Sequence, residues 1–261
     1  MSTHRPNESA ALYVSCAAIA IASGALALVV KLSQKQNQDC KKTKSASGVS
    51  PTLETRIAEW DEATKAARQA EYGEEKKKMI NGEAYACWSE QLFWERELGH
   101  DGCALLNRLT LHEQRDLRNH VIQTLVGEFD PESLPFIESP FHCDYGYNLK
   151  LGSNVYFNHG CTILDSAPVT IGDGTMFGPG CQLATPNHPI KASERHNPPF
   201  PEFGGAINIG KHCWFGAGAI VVPGVTIGDE CVIAAGSVVV RDIPSRSLVA
   251  GVPAKVIRSD I

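Results

Sequence analysis

The hydrophobic pattern along the chain changes character more than once. Residues Ala10 to Val30 carry no charge, and sixteen of these 21 are Leu, Ile, Val or Ala. At about 1.5 Å per residue a helix of this length spans roughly 30 Å, the thickness of a bilayer core, so the run predicts a single transmembrane helix, although its many alanines make it weakly apolar. Residues 31–52 are polar, rich in Lys, Ser and Gln, and read as a linker. Over residues 53–80 charges dominate, with Leu53, Ile57 and Trp60 at helical spacing, which predicts a helix that is solvated or packed on a partner. Ser89 to Arg108 predicts another helix. Thr110-Leu111-His112-Glu113 fits a capping box and predicts a third helix ending near Gly127.

From residue 149 the period becomes six. Aliphatic or aromatic anchors recur at Leu151, Phe157 and Ile163. After a slip of two residues they resume at Ile171, Phe177 and Leu183, and then at Ile209, Phe215, Val221, Ile227, Ile233 and Val239. Six is neither the period of a helix nor that of an alternating strand. It fits a triangular solenoid in which each hexapeptide forms one flat face and turns a corner. The anchor points inward, and the residue four places on needs a small side chain at an inner corner: Val155, Cys161, Thr175, Cys181, Cys213, Ala219, Val225, Cys231 or Ser237. One coil cannot bury its inner face alone, so coils must stack. The repeat breaks for 26 residues between Leu183 and Ile209, which predicts a projecting loop that begins at Asn187-His188-Pro189 and is stiffened by Pro198-Pro199-Phe200-Pro201.

Charge refines this picture. The net charge of -5 divides into +4 over residues 31–50 and -9 over residues 51–261. An acidic body argues against nucleic acid as a partner, because phosphate binding needs a basic footprint. Lysines on the C-terminal side of residues 10–30 place the bulk of the chain in the cytosol as a membrane-anchored, single-pass protein. The competing readings are a signal peptide cleaved at Ala25-Leu26-Ala27 or an organelle-targeting peptide, either of which leaves a soluble protein. The nine cysteines include no C-x-x-C pair, which matches neither a zinc ribbon nor a secreted disulfide framework and suits a reducing compartment.

Five segments then resemble a known family. They are Glu75-Lys76-Lys77-Lys78-Met79-Ile80-Asn81-Gly82-Glu83, Pro140-Phe141-His142-Cys143-Asp144-Tyr145-Gly146-Tyr147-Asn148, Asn187-His188-Pro189, Pro223-Gly224-Val225-Thr226-Ile227-Gly228 and Ala250-Gly251-Val252-Pro253-Ala254-Lys255-Val256-Ile257-Arg258. Over roughly residues 72–258 the chain resembles the galactoside, maltose and nodulation O-acetyltransferases of the hexapeptide-repeat superfamily. The resemblance implies a mainly β fold, a left-handed parallel β-helix, with acetyl-CoA as donor, no metal, and a homotrimer with active sites between subunits. The expected organisation is an N-terminal tail (1–9), the transmembrane helix (10–30), a linker and charged helix (31–72), a helical maltose-acetyltransferase-like region (73–128) and the β-helix (129–258).

Acyl transfer from a thioester to a hydroxyl needs a base near neutrality, and histidine is the usual choice. His188 sits where the repeat breaks and matches the family's catalytic histidine. The resemblance assigns Asn158, Asp165, Asp144, Tyr156 and Arg96 to the acceptor, a small-molecule hydroxyl compound of the sugar type. For Asn158 a stacking role, and for Arg96 a solvated helix face, are the competing readings. The donor path matches Trp214, Ala217, Ala235, Arg241, Lys255 and Arg258, where small residues let backbone amides meet the pantetheine arm and basic ones meet phosphates. Departures stand at Val240 for a common threonine, and at Cys87 and Ser166 for two acids of the galactoside enzyme, whose residue at the Asp144 position is serine. They bear on acceptor specificity. Alternative functions are transfer to a serine-like or xenobiotic acceptor, a non-catalytic trimeric scaffold, and a zinc hydratase. The last needs three imidazoles, and His159, His188, His196 and His212 offer no close pair.

Overall fold

The computed structural model of the chain describes residues 52–195 and 200–261. The six-residue period produces three parallel sheets, one per face. The first face stacks Glu128–Phe129, Leu149–Leu151, Val169–Ile171, Ile207–Ile209 and Thr226–Ile227. The second stacks Phe136–Ile137, Tyr156–Phe157, Met176–Phe177, Trp214–Phe215, Val232–Ile233 and Ser247–Gly251, and the antiparallel strand Ala254–Ser259 closes it. The third stacks Phe141–Cys143, Cys161–Leu164, Gln182–Ala184, Ile220–Val221 and Val238–Val239. Every expected anchor is buried, and so is every expected corner residue. Phe157, Phe177 and Phe215 stack down the axis with ring centroids 4.8 and 4.6 Å apart. Cys161, Cys181, Cys213 and Cys231 are buried free thiols at the inner corners, the packing role their positions predict.

The two-residue slip has a local cause. It loops out Asp165 to Pro168, and the fully buried Asp165 carboxylate accepts the N–H groups of Asp144 (3.1 Å), Tyr145 (2.8 Å) and Asn148 (3.3 Å) in the coil below. The long interruption closes at its base, where the Gly205 N–H donates to the Thr185 carbonyl at 2.9 Å. The next coil therefore resumes in register, with Ile220 beside Gln182.

Four helices cap the open end of the solenoid: α1 (Leu53–Gln69), α2 (Glu74–Ile80), α3 (Glu90–Arg108) and α4 (Arg115–Leu125). The charged segment expected as one helix is two, because the backbone is extended at Ala70 and again at Gly73, whose N–H donates to Gln91 Oε1 at 2.9 Å. Its apolar stripe is covered within the chain: Trp60 is buried and donates from Nε1 to the Leu98 carbonyl at 2.8 Å. The capping box is replaced by a turn. Thr110 Oγ1 accepts the Glu113 N–H at 3.4 Å, but Gln114 reaches back to the Thr110 N–H, and the helix starts only at Arg115. On α3, Asn107 pairs with both backbone groups of Phe141 at 2.9 and 2.8 Å, and buried Arg118 of α4 donates to the carbonyls of Leu106, Leu109 and Ile137. These side chains satisfy the end coil, whose backbone groups have no coil below them.

The expectation of a transmembrane helix, and of a membrane-anchored placement with it, is corrected. Among the described residues no helix is long and apolar enough to cross a membrane. Residues 10–30, on which that expectation rested, lie outside the described residues. The fold class is accordingly a mainly β solenoid with a helical cap.

Candidate active site

The interrupting loop builds the candidate site through a small sheet of its own. Pro186–Asn187 pairs antiparallel with Pro201–Gly204, which pairs in turn with Tyr85–Ala86 from the helical region. Glu202 stands directly opposite Tyr85, and His188 follows the first of these strands. His188 Nδ1 lies 3.0 Å from the Pro201 carbonyl oxygen. A carbonyl only accepts, so Nδ1 carries the hydrogen and Nε2 of the neutral ring holds a free lone pair. Glu202 Oε1 lies 3.5 Å from that Nε2, where it would stabilise the protonated ring. The other Glu202 oxygen accepts the Tyr85 hydroxyl at 2.6 Å, and burial holds that phenol well above its ordinary pKa. Cys87 lies beside the same carboxylate. Burial, with Glu202 next in weight, pushes its thiol up to about 12, so it is a neutral donor and no thiolate nucleophile.

His188 opens onto a cleft of about 560 Å³. Leu164 lines it from the solenoid, Pro186 and Glu202 from the loop, and Trp88, Phe93, Arg96 and His100 from α3 and the turn before it. Helix α3 can come this close because Gly99 lacks a side chain: a Cβ there would sit 2.1 Å from the Asp144 carbonyl oxygen. Arg96 and His100 thus flank the contact. The Arg96 guanidinium lies 4.9 Å from the Trp88 ring centre, and His100 Nε2 lies 3.3 Å from Asp144 Oδ1, a contact that raises the His100 pKa.

Of the expected acceptor residues, the structure gathers Arg96 and Asp144 with His188. Asp165 lies beneath them with its carboxylate turned to backbone N–H groups, and burial pushes that carboxyl up to about 7 against three hydrogen bonds that favour its charged form. Tyr156 and Asn158 are on the second face and its outer corner, away from this cleft. Tyr156 donates to Glu138 Oε1 at 2.8 Å, and Asn158 Oδ1 accepts the His159 N–H at 2.8 Å. Among the described residues no cluster of three or more His, Cys, Asp or Glu could hold a metal ion.

Residues 206–241 match the family model described as the hexapeptide repeat of succinyl-transferase. Nodulation protein L of Rhizobium meliloti (strain 1021) is 44% identical over 184 residues, covering 70% of this chain and 97% of the relative. The chain belongs to the hexapeptide-repeat acetyltransferases. Solved members agree in fold. A maltose O-acetyltransferase from Clostridium difficile 630 superposes with a TM-score of 0.67 at 38% identity, over 71% of this chain and 96% of that one. A galactoside acetyltransferase in complex with coenzyme A gives 0.68 at 32% identity, over 73% and 92%.

The residues expected along the donor path of a hexapeptide-repeat acetyltransferase lie on the later coils. Ala217 and Ala235 are exposed at the corner between the second and third faces, each followed by a glycine with positive φ. Gly160, Gly180, Gly218 and Gly236 repeat there with φ between 68° and 78°. Conformation alone does not demand glycine, because at the corner between the first and second faces Asn154, His212, Glu230 and Arg246 adopt φ of 54° to 60°. A Cβ at Gly180, Gly218 or Gly236 would meet nothing within 4 Å. The edge is therefore a bare open track. Trp214, 54% exposed, flanks it on the second face; Arg241 follows the last third-face strand, and Lys255 and Arg258 lie exposed on the closing strand, which rests against Val238–Val239. Glu202, Tyr85, Trp88 and His100 escaped the sequence reading. Glu202 and Trp88 sit in stretches with no period, and Tyr85 meets Glu202 only through strand pairing across 117 positions.

Proposed function

We propose that this acetyltransferase moves the acetyl group of acetyl-CoA to a hydroxyl of a sugar or related small acceptor, with His188 as general base. The observation that carries the reading is the Nδ1 contact to the Pro201 carbonyl, which leaves Nε2 free to take a proton at the mouth of the cleft. As the acceptor oxygen attacks the thioester carbon, its proton passes to Nε2, and Glu202 stabilises the imidazolium. The C–S bond then breaks, and the proton returns to the leaving thiolate. Trp214, Ala217, Ala235, Arg241, Lys255 and Arg258 hold the donor along the bare corner, and Arg96 and Asp144 hold the acceptor.

The active unit is a homotrimer. Two observations support it. The outward ladder of the second face is apolar: Phe136, Tyr156, Met176, Trp214, Val232 and Leu248 stand in register, with Phe136, Met176 and Trp214 about half exposed. On the first face the equivalent ladder is Glu128, Lys150, Thr170, Asn208 and Thr226, a solvent-facing set. An apolar stripe of that length calls for a covering partner. In addition, the bare corner precedes the third-face strands, whereas the His188 loop leaves after one of them. Donor track and base thus stand at opposite edges of one face, and a neighbouring copy can bring its own track to His188. Tyr156 and Asn158, remote from the cleft of their own chain, then face a neighbour. Release of CoA thiol from acetyl-CoA, measured against a panel of glycosides, amino alcohols and serine, tests the reading. Acceptor-dependent release with glycosides is expected, and release with none of the panel would refute it.

A further inference from the structure

The cleft contains a group that the transfer chemistry does not use. Trp88 is 59% exposed, an unusual state for so large an apolar side chain, yet it is held in place. Phe93 packs near its ring at 6.4 Å between centroids, and the Arg96 guanidinium lies over it at 4.9 Å. It occupies the turn between the strand Tyr85–Ala86 and helix α3, so both flanks of its backbone are anchored. The ring is an apolar plate that lines the same cleft as His188 and Leu164. Around it stand charged and hydrogen-bonding groups: Glu97, Asp144 and Glu202 are carboxylates, His100 contacts Asp144, and Arg96 is the one guanidinium in the lining.

We propose that Trp88 is the stacking platform of the acceptor site and selects a neutral pyranoside. A pyranose ring has an apolar face of C–H groups and an equatorial rim of hydroxyls. The face lies on the indole, and the rim meets Arg96, His100 and Asp144, which leaves one hydroxyl toward His188 Nε2. Three carboxylates outnumber the Arg96 guanidinium even with Asp144 engaged by His100, and so disfavour an anionic sugar, whose charge would lose water beside like charges. An acyclic alcohol such as glycerol or serine offers no plate-sized apolar face and gains little from the indole. The volume of about 560 Å³ suits a small glycoside. This inference rests on the sugar acceptor proposed above and adds the residue that recognises its ring.

Equilibrium binding and turnover together provide the test, with methyl glucoside, methyl galactoside, glucuronic acid and glycerol as probes on the full chain. Trp88→Ala is expected to weaken the better methyl glycoside about tenfold, with a rise in KM larger than the fall in kcat, and Trp88→Phe is expected to recover most of the loss. Glucuronic acid should bind the wild type less well than either methyl glycoside. His188→Ala, inactive by the reading above, loses one contact to the sugar and is expected to weaken methyl glycoside binding less than Trp88→Ala does. That separates the two ideas: an active His188→Ala enzyme overturns the base, whereas a Trp88→Ala enzyme with unchanged glycoside affinity overturns the platform alone. Equal losses for glycerol and glycosides, or a change in sedimentation in place of affinity, would assign Trp88 to packing and overturn the proposal as well.

Discussion

The proposed role of His188 as base rests on a neighbour that is not a side chain. The Pro201 carbonyl dictates which ring nitrogen carries hydrogen, and Glu202 waits 3.5 Å from the other. Removing the ring removes the proton acceptor while leaving the donor track untouched. His188→Ala is therefore expected to lower turnover by about 10² or more with little change in affinity for acetyl-CoA. Stopped assays of CoA release and a binding titration check it, and turnover near the wild type would sink the assignment. At this scale the sequence singled out His188, a residue that lines the cleft, through the Asn187-His188-Pro189 motif. It was silent on Glu202, which belongs to no motif and acquires its role only when the loop folds back beside Tyr85.

Elements explain why the coils stack and where they stay bare. Phe177 lies between Phe157 and Phe215 and is 1% exposed, so its truncation opens a void that neighbouring coils cannot close without breaking register. Phe177→Ala should cost about 3–5 kcal/mol, visible as a lower unfolding midpoint in calorimetry or denaturant titration. Wild-type stability would mean that the solenoid repacks freely. The bare corner makes a different forecast. Asn154 shows that asparagine tolerates the left-handed conformation of a solenoid corner, and a side chain at Gly218 meets open space. Gly218→Asn is accordingly expected to fold normally and to raise the KM for acetyl-CoA severalfold by obstructing the track. An unchanged KM in a folded variant would place the donor elsewhere. The anchors and corner residues were readable from the period because each makes the same contact in every coil. The break of the charged helix at Gly73 was not readable, since it answers to Gln91 on another helix.

For the whole molecule, the proposed homotrimer rests on the apolar ladder of the second face and on the separation of His188 from the bare corner. Sedimentation of the full chain should give about three times the 28.2 kDa of one subunit. An active monomer would refute a site shared between copies. The sequence by itself determined the solenoid, its coil boundaries, the site of the interruption and the histidine within it. A repeated local pattern states the same packing problem many times over, and a six-residue period has few solutions. Only the tertiary structure decided that the helical cap supplies one wall of the cleft, that Gly99 lets α3 approach Asp144, and that Asp165 supports a turn with its carboxylate directed at backbone. It also removed the transmembrane element from the described fold. These are contacts between residues far apart in the chain, made once each, and a contact made once leaves no period to read.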